Sequence, residues 1–177
     1  MRLVINLKIP KRIVREMDVY RKKYHPSGFS HSHSHITLVP PFVLKGKLPN
    51  LIDDINDYLR AVRPFYMQIN GLGASEDRVL FFKPNCPPEL KRIYTSLKKL
   101  IGENYRRRTH CSYWIFSVYR PHITIAKDST RRIRQCQMEL QNTRYKRRFA
   151  IIGIGLYAQR KDTRWILKKE FLFGRMN

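Results

Sequence analysis

Two four-residue stretches pair a titratable ring with a hydroxyl at a spacing suited to chemistry: His35-Ile36-Thr37-Leu38 and His122-Ile123-Thr124-Ile125. In an extended strand, residues two apart share a face. Each stretch therefore sets a His beside a Thr on one side and two aliphatics on the other. The aliphatic side belongs in a core, which leaves the His/Thr side facing something polar. Imidazole titrates near neutrality, so of two rings one can take a proton while the other gives one. The hydroxyls can donate to oxygens of an anion as charge builds there. A single copy would read more simply as an ordinary strand with a surface histidine. Two copies on two plausible strands favour a paired acid–base site.

Charge names the substrate class. The 177 residues hold 36 Lys+Arg against 13 Asp+Glu, a net charge of +23. Residues 1–88 carry 14 basic and 7 acidic side chains and residues 89–177 carry 22 and 6, so the field is strongest in the second half. Such a field draws in polyanions and speeds encounters with phosphates, which points to RNA or a nucleotide as partner. No long basic amphipathic helix with a bulky apolar face is legible, which argues against a membrane surface. Cys86, Cys111 and Cys136 show no paired spacing, as expected of reduced thiols in a cytoplasmic protein. The opening residues are too polar for a signal sequence, and no apolar run is long enough to span a bilayer. With 42% hydrophobic residues the chain can fill a core, and its length suits one domain, expected as a monomer.

The elements that must position the two motifs follow from periodicity. Leu3 to Ile9 reads as a strand ended by Pro10. Residues 11–24 carry Ile13, Met17, Tyr20 and Tyr24 on one helical stripe, with Lys11, Arg12, Arg15, Arg21, Lys22 and Lys23 on a basic face and Pro26-Ser27-Gly28 closing the helix. His31, His33 and His35 alternate, but no Cys or carboxylate beside them completes a metal set. His31 and His33 are read as loop residues at a pocket mouth, with no metal. Asn50 reads as the cap of a helix over 51–62. Strands are expected over 65–73 and 78–83, joined by a turn at Ser75-Glu76-Asp77. A helix follows Pro87-Pro88, and Arg106-Arg107-Arg108 and an apolar stretch, Tyr113 to Val118, come after it. A helix over 130–143 precedes one strong strand, Phe149 to Tyr157, and a final strand from Arg164 to Phe173 lies beyond a turn at Lys161-Asp162.

The order of elements repeats. Each motif strand is followed by a helix, then by a strand carrying Gly-x-Gly (Gly71-Leu72-Gly73 and Gly153-Ile154-Gly155), then by an Asp turn into an Arg-led strand. Glycines at period two clear one face of a strand, either for a ligand or for tight packing of another element. The expected architecture is α+β: one domain over residues 1–177 made of two pseudo-symmetric β-α-β lobes. Lobe one spans roughly 1–84 and lobe two roughly 85–177, with mainly antiparallel sheets facing a central cleft and helices outside.

The two motifs, half a chain apart, resemble the paired HxTx motifs of the 2H phosphoesterase superfamily, which includes the 2′-5′ RNA ligase-like cyclic phosphodiesterases. The Pro-Pro-Phe after the first motif and the Tyr-Arg-Lys-Lys-Tyr helix before it are similar to a small bacterial branch. The resemblance extends over nearly the whole chain. It implies motif strands facing a cleft, cleavage of 2′,3′-cyclic or related phosphodiesters at RNA ends or on nucleotides, and no metal or cofactor. It carries over His35, Thr37, His122 and Thr124. Many members have an Arg five residues after the second His; Lys127 stands there, keeping the charge without the bidentate fork.

On this reading a 2′,3′-cyclic phosphate is opened to a 2′-phosphate. His122 activates water and His35 protonates the leaving 3′ oxygen, although pseudo-symmetry equally permits the reverse. Phe42 and Tyr157 are the candidates for stacking a base, with core packing as the alternative for each. Two rival readings use the same cleft: 2′-5′ RNA ligation or its reversal, and a non-catalytic RNA-binding module.

Overall fold

A computed structural model describes residues 1–75, 78–106, 119–143 and 145–174. Its elements run β1 (Arg2–Leu7), α1 (Lys11–Tyr24), α2 (Pro26–His31), β2 (Thr37–Val43), α3 (Leu48–Leu59), β3 (Phe65–Ser75), β4 (Val79–Pro84) and α4 (Pro88–Leu100). A π-helical turn (Ile101–Tyr105) follows, then β5 (Ile123–Lys127), α5 (Thr130–Leu140), β6 (Lys146–Ile151), β7 (Gly153–Gln159) and β8 (Trp165–Leu172). The expected Tyr113–Val118 stretch, Arg107, Arg108, Cys111 and the Glu76-Asp77 turn lie outside the described residues.

The fold is α+β, with two four-stranded antiparallel sheets in the orders β2-β1-β7-β8 and β5-β4-β3-β6. Among the described residues each motif strand is an edge strand, and each Gly-x-Gly strand lies two places in from it. Helices α3 and α4 contact strands of the first sheet, and α1 and α5 contact strands of the second. The aliphatics of the motifs (Ile36, Leu38, Ile123 and Ile125) are buried in the core, as period two requires.

Several expectations need correction. The lobes do not follow the halves of the chain. The first sheet joins β1 and β2 to β7 and β8, and the second gathers β3 to β6. The run Phe149 to Tyr157 is two strands, broken at Ile152, that belong to different sheets. Continuous apolarity reads as one strand, but here the chain crosses between sheets at Ile152, which is exposed between the buried Ile151 and Gly153. Pro26 starts a short helix instead of ending one, because proline suits a first helical turn. His31 is accordingly the last residue of α2. Helix α3 starts at Leu48, with Pro49 in its first turn, so Asn50 is inside the helix and not its cap. Arg21, placed on the basic face of α1, is 6% exposed. The buried stripe of α1 is Ile13, Met17, Asp18 and Arg21.

Candidate active site

The two motifs are built alike, residue for residue. Thr37 pairs with Asn6 on β1, and Asn6 pairs with Gly155 on β7. Thr124 pairs with Phe81 on β4, and Phe81 pairs with Gly73 on β3. Partners in an antiparallel pair share a face. Each sheet thus presents a row running from the motif Thr through its neighbour to the second glycine of a Gly-x-Gly.

Each motif also ends in a bulge. Asn6 and Ile5 pair with Thr37 and Val39, and Phe81 and Leu80 pair with Thr124 and Ala126, so Leu38 and Ile125 are extra residues. An extra residue reverses the alternation of faces. Lys127, an odd five residues after His122, therefore pairs with Val79 on the face that carries Thr124. Two partner positions separate it from Thr124, about 7 Å along the strand. Its charge is felt by His25, whose pKa is lowered first by burial and then by Arg21 and Lys127.

The histidines are anchored identically. His35 Nδ1 lies 2.7 Å from the carbonyl oxygen of His33, and His122 Nδ1 lies 3.0 Å from that of Arg120. A carbonyl can only accept, so Nδ1 carries the hydrogen in both rings. In each neutral ring Nε2 is left with its lone pair. The two sheets bring the rings within electrostatic reach of each other. Burial, chiefly, lowers the pKa of His35 to about 4; the His33 carbonyl opposes this, and Arg21 and His122 push it further down. His122 is exposed, with Phe81 edge-on at 5.7 Å between centroids. A second tie joins the motifs: the Tyr119 hydroxyl donates to the Thr37 carbonyl at 2.8 Å, and its ring stacks on Tyr94 at 4.3 Å.

His35 and Thr37 line a cavity of about 420 Å³ over the open face of the first sheet. Its floor includes Val4, Asn6 and Tyr157; α2 and residues 32–34 form one wall, and Arg160, Arg164 and Trp165 another. His31 and His33 are at this cavity, as expected of a pocket mouth. Tyr157 lies there too, half-buried, its ring across Gly155: a Cβ on that glycine would stand 2.7 Å from the ring. In the second sheet Phe81 lies across Gly73 in the same way, at 2.8 Å from such a Cβ. The second glycine of each pair thus makes room for a flat aromatic: Phe81 beside His122, and Tyr157 in the cavity that His35 lines.

Phe42 is a correction. It is 3% exposed, in the core, because its neighbour Pro41 takes the cavity side and successive strand residues alternate. It offers no stacking surface.

Sequence reasoning missed Asp18, Arg21, Asn6, Phe81 and Tyr119. Asp18 Oδ2 accepts from His33 Nδ1 at 2.7 Å and Oδ1 accepts from the Ser34 amide at 2.7 Å. Arg21 donates to the Gly28 carbonyl and to Ser32 Oγ. Together they fix the backbone from which His35 is held. The signal was available: Ile13, Met17 and Arg21 are four apart, so Arg21 continues the apolar stripe. Asn6 is 8% exposed, and its Oδ1 has no hydrogen-bond partner among the described residues. It lies between Thr37 and Gly155 on the cavity floor, where a ligand's hydroxyl could satisfy it. Among the described residues no group of three or more His, Cys, Asp or Glu could hold a metal, and no helix is long and apolar enough to cross a membrane. Cys86 and Cys136 are free thiols.

A family model described as the 2′-5′ RNA ligase superfamily matches residues 9–163. Structurally similar chains include TT0787 of Thermus thermophilus, with TM-score 0.65 and 17% identity, covering 99% of this chain and 100% of that one. LigT of E. coli complexed with 3′-AMP gives 0.62 and 16%, covering 98% of each chain. The same protein complexed with phosphate gives 0.57 and 18% over the same coverage. At these identities the likeness establishes a shared fold. A search of curated protein sequences gave no significant match.

Proposed function

The chain belongs to the 2′-5′ RNA ligase superfamily, and from that premise we propose that it is a metal-independent phosphodiesterase opening 2′,3′-cyclic phosphates on RNA ends or nucleotides. The observation that carries this is the twin anchoring of His35 and His122 by backbone carbonyls, which leaves two Nε2 atoms to serve one phosphate. LigT, of the same fold, has been solved with a nucleoside monophosphate and with phosphate, which supports a nucleotide phosphate as ligand.

Hydrolysis needs a base on water and an acid on the leaving oxygen, in line across phosphorus. The burial that lowers the pKa of His35 keeps it neutral near pH 7, so His35 is the base and His122 the acid. This reverses the division expected from sequence. His35 Nε2 takes a proton from water as its oxygen bonds to phosphorus. The bond from phosphorus to the 3′ oxygen breaks, and His122 returns a proton to that oxygen, leaving a 2′-phosphate. Thr37 and Thr124 donate to the non-bridging oxygens, where charge grows, and Lys127 supplies positive potential on the same face. Tyr157 and Asn6 hold the nucleoside.

A panel of nucleoside 2′,3′-cyclic phosphates, 3′,5′-linked RNA and 2′-5′-linked RNA tests the proposal. Opening of the cyclic phosphates, unaffected by EDTA and lost in His35→Ala and His122→Ala, is the expected result. Binding of these compounds without turnover would leave a binding module instead.

A further inference from the structure

The open face of the second sheet continues well beyond the motif. By strand pairing, Phe81, Gly73 and Thr124 share it. Alternation adds His122 and Lys83, and the pairing of β3 with β6 adds Asn70 with Lys146, Gln68 with Arg148, and Tyr66. Continuing the register by one residue places Lys83 level with His122. Across the bulge at Gly71, Asn70 and Lys146 extend that row to the far edge of the sheet.

Three properties set this face apart. It carries Lys83, Lys146 and Arg148, all exposed, and among the described residues none that shares it is acidic. Arg147, which points to the opposite side, is instead neutralised by Glu16 at 3.0 Å. Tyr66 is 56% exposed on this face, with the Arg148 guanidinium 4.3 Å from its ring centre. Charge on an edge strand can serve only to discourage edge pairing. That explanation does not reach Lys83, which is on the interior strand β4, nor an aromatic ring left open to water. Cations spaced along a groove, with a ring or guanidinium plane offered to bases, are what single-stranded nucleic acid requires.

We propose that this face is an extended subsite for single-stranded RNA, and that the preferred substrate is an oligonucleotide end. Lys83 and Lys146 contact backbone phosphates 5′ of the reacting nucleotide, and Tyr66 with Arg148 stacks a base further along. The span from His122 to Tyr66 is on the order of 17 Å, from two strand spacings and four residues of rise, so the subsite accepts a chain of several nucleotides. This inference rests on the proposed ring-opening activity.

The test compares a nucleoside 2′,3′-cyclic phosphate with a short single-stranded oligoribonucleotide ending in the same group. Tyr66→Ala and Lys146→Ala/Arg148→Ala are expected to raise KM for the oligonucleotide about tenfold, with kcat and all mononucleotide kinetics unchanged. The double variant should also flatten the salt dependence of oligonucleotide KM, each lost phosphate contact lowering the log–log slope by about 0.7. Equal effects on both substrates, or none on either, overturn the subsite. Should the wild-type chain open neither ring, the activity reading fails separately. The subsite is then decided by fluorescence anisotropy of a labelled oligonucleotide carrying a 3′-phosphate, where unchanged affinity in the variants overturns it and weakened affinity sustains it.

Discussion

Asp18 is joined to His35 through a single intervening residue: its carboxylate accepts from His33 Nδ1, and the His33 carbonyl accepts from His35 Nδ1, both at 2.7 Å. A buried carboxylate on α1 thus sets the position of a ring on the edge of a sheet. Asp18→Asn keeps an acceptor for the Ser34 amide but weakens the hold on His33. A loss of about tenfold in kcat with little change in KM or Tm is expected. Asp18→Ala also leaves the Ser34 amide unpaired, which costs about 1–3 kcal/mol of stability, visible as a lower Tm. A fall in Tm with full activity in either variant would show that Asp18 supports the fold alone.

The lowered pKa of His35 has a direction that pH profiles can check. The base must be neutral to act, so the acid-side decline of kcat/KM should follow its pKa of about 4 and not the ordinary histidine value near 6.5. The same group links pH to stability. The unfolded chain binds a proton at this ring before the native one does, so stability present above pH 6.5 is lost as pH falls towards 4. Denaturant titrations of wild type and His35→Gln across that window should show a weaker acid dependence in the variant. An acid limb near 6.5 would contradict His35 as the base.

Gly155 and Tyr157 test the aromatic floor. Gly155→Ala pushes the Tyr157 ring from its place over the strand, and Tyr157→Ala removes it. Both should raise KM for a nucleoside cyclic phosphate, by about tenfold for Tyr157→Ala, and leave kcat within a factor of two or three. Steady-state kinetics on purine and pyrimidine substrates measure this. An unchanged KM would mean that the ring packs only against the sheet.

The pairing of each motif histidine with a threonine was legible because period two is a local property. His35 with Thr37, and His122 with Thr124, announce a shared face wherever their strands end up. The Gly-x-Gly strands and the order of elements were legible for the same reason. Sheet membership was not, because pairing is set by contacts distant in sequence. Nothing in Phe149 to Tyr157 marks Ile152 as a crossing point between sheets. Bulges at Leu38 and Ile125 are equally silent in the sequence, although the second one gives Lys127 its face. Phe42 and Tyr157 looked alike as candidates, and only the strand register separates a core ring from a cleft ring. Asp18 and Arg21 were hidden by composition, since a charged residue on a basic helix reads as solvated until its stripe is traced.

The central claim is that two imidazoles serve one phosphorus atom. A crystal structure of the chain with a nucleoside 2′-monophosphate addresses it most directly. The phosphate is expected between the rings, with Nε2 of His35 and Nε2 of His122 each within hydrogen-bond distance of its oxygens and Thr37 and Thr124 donating beside them. A phosphate held by one ring alone, or bound away from both, would contradict it.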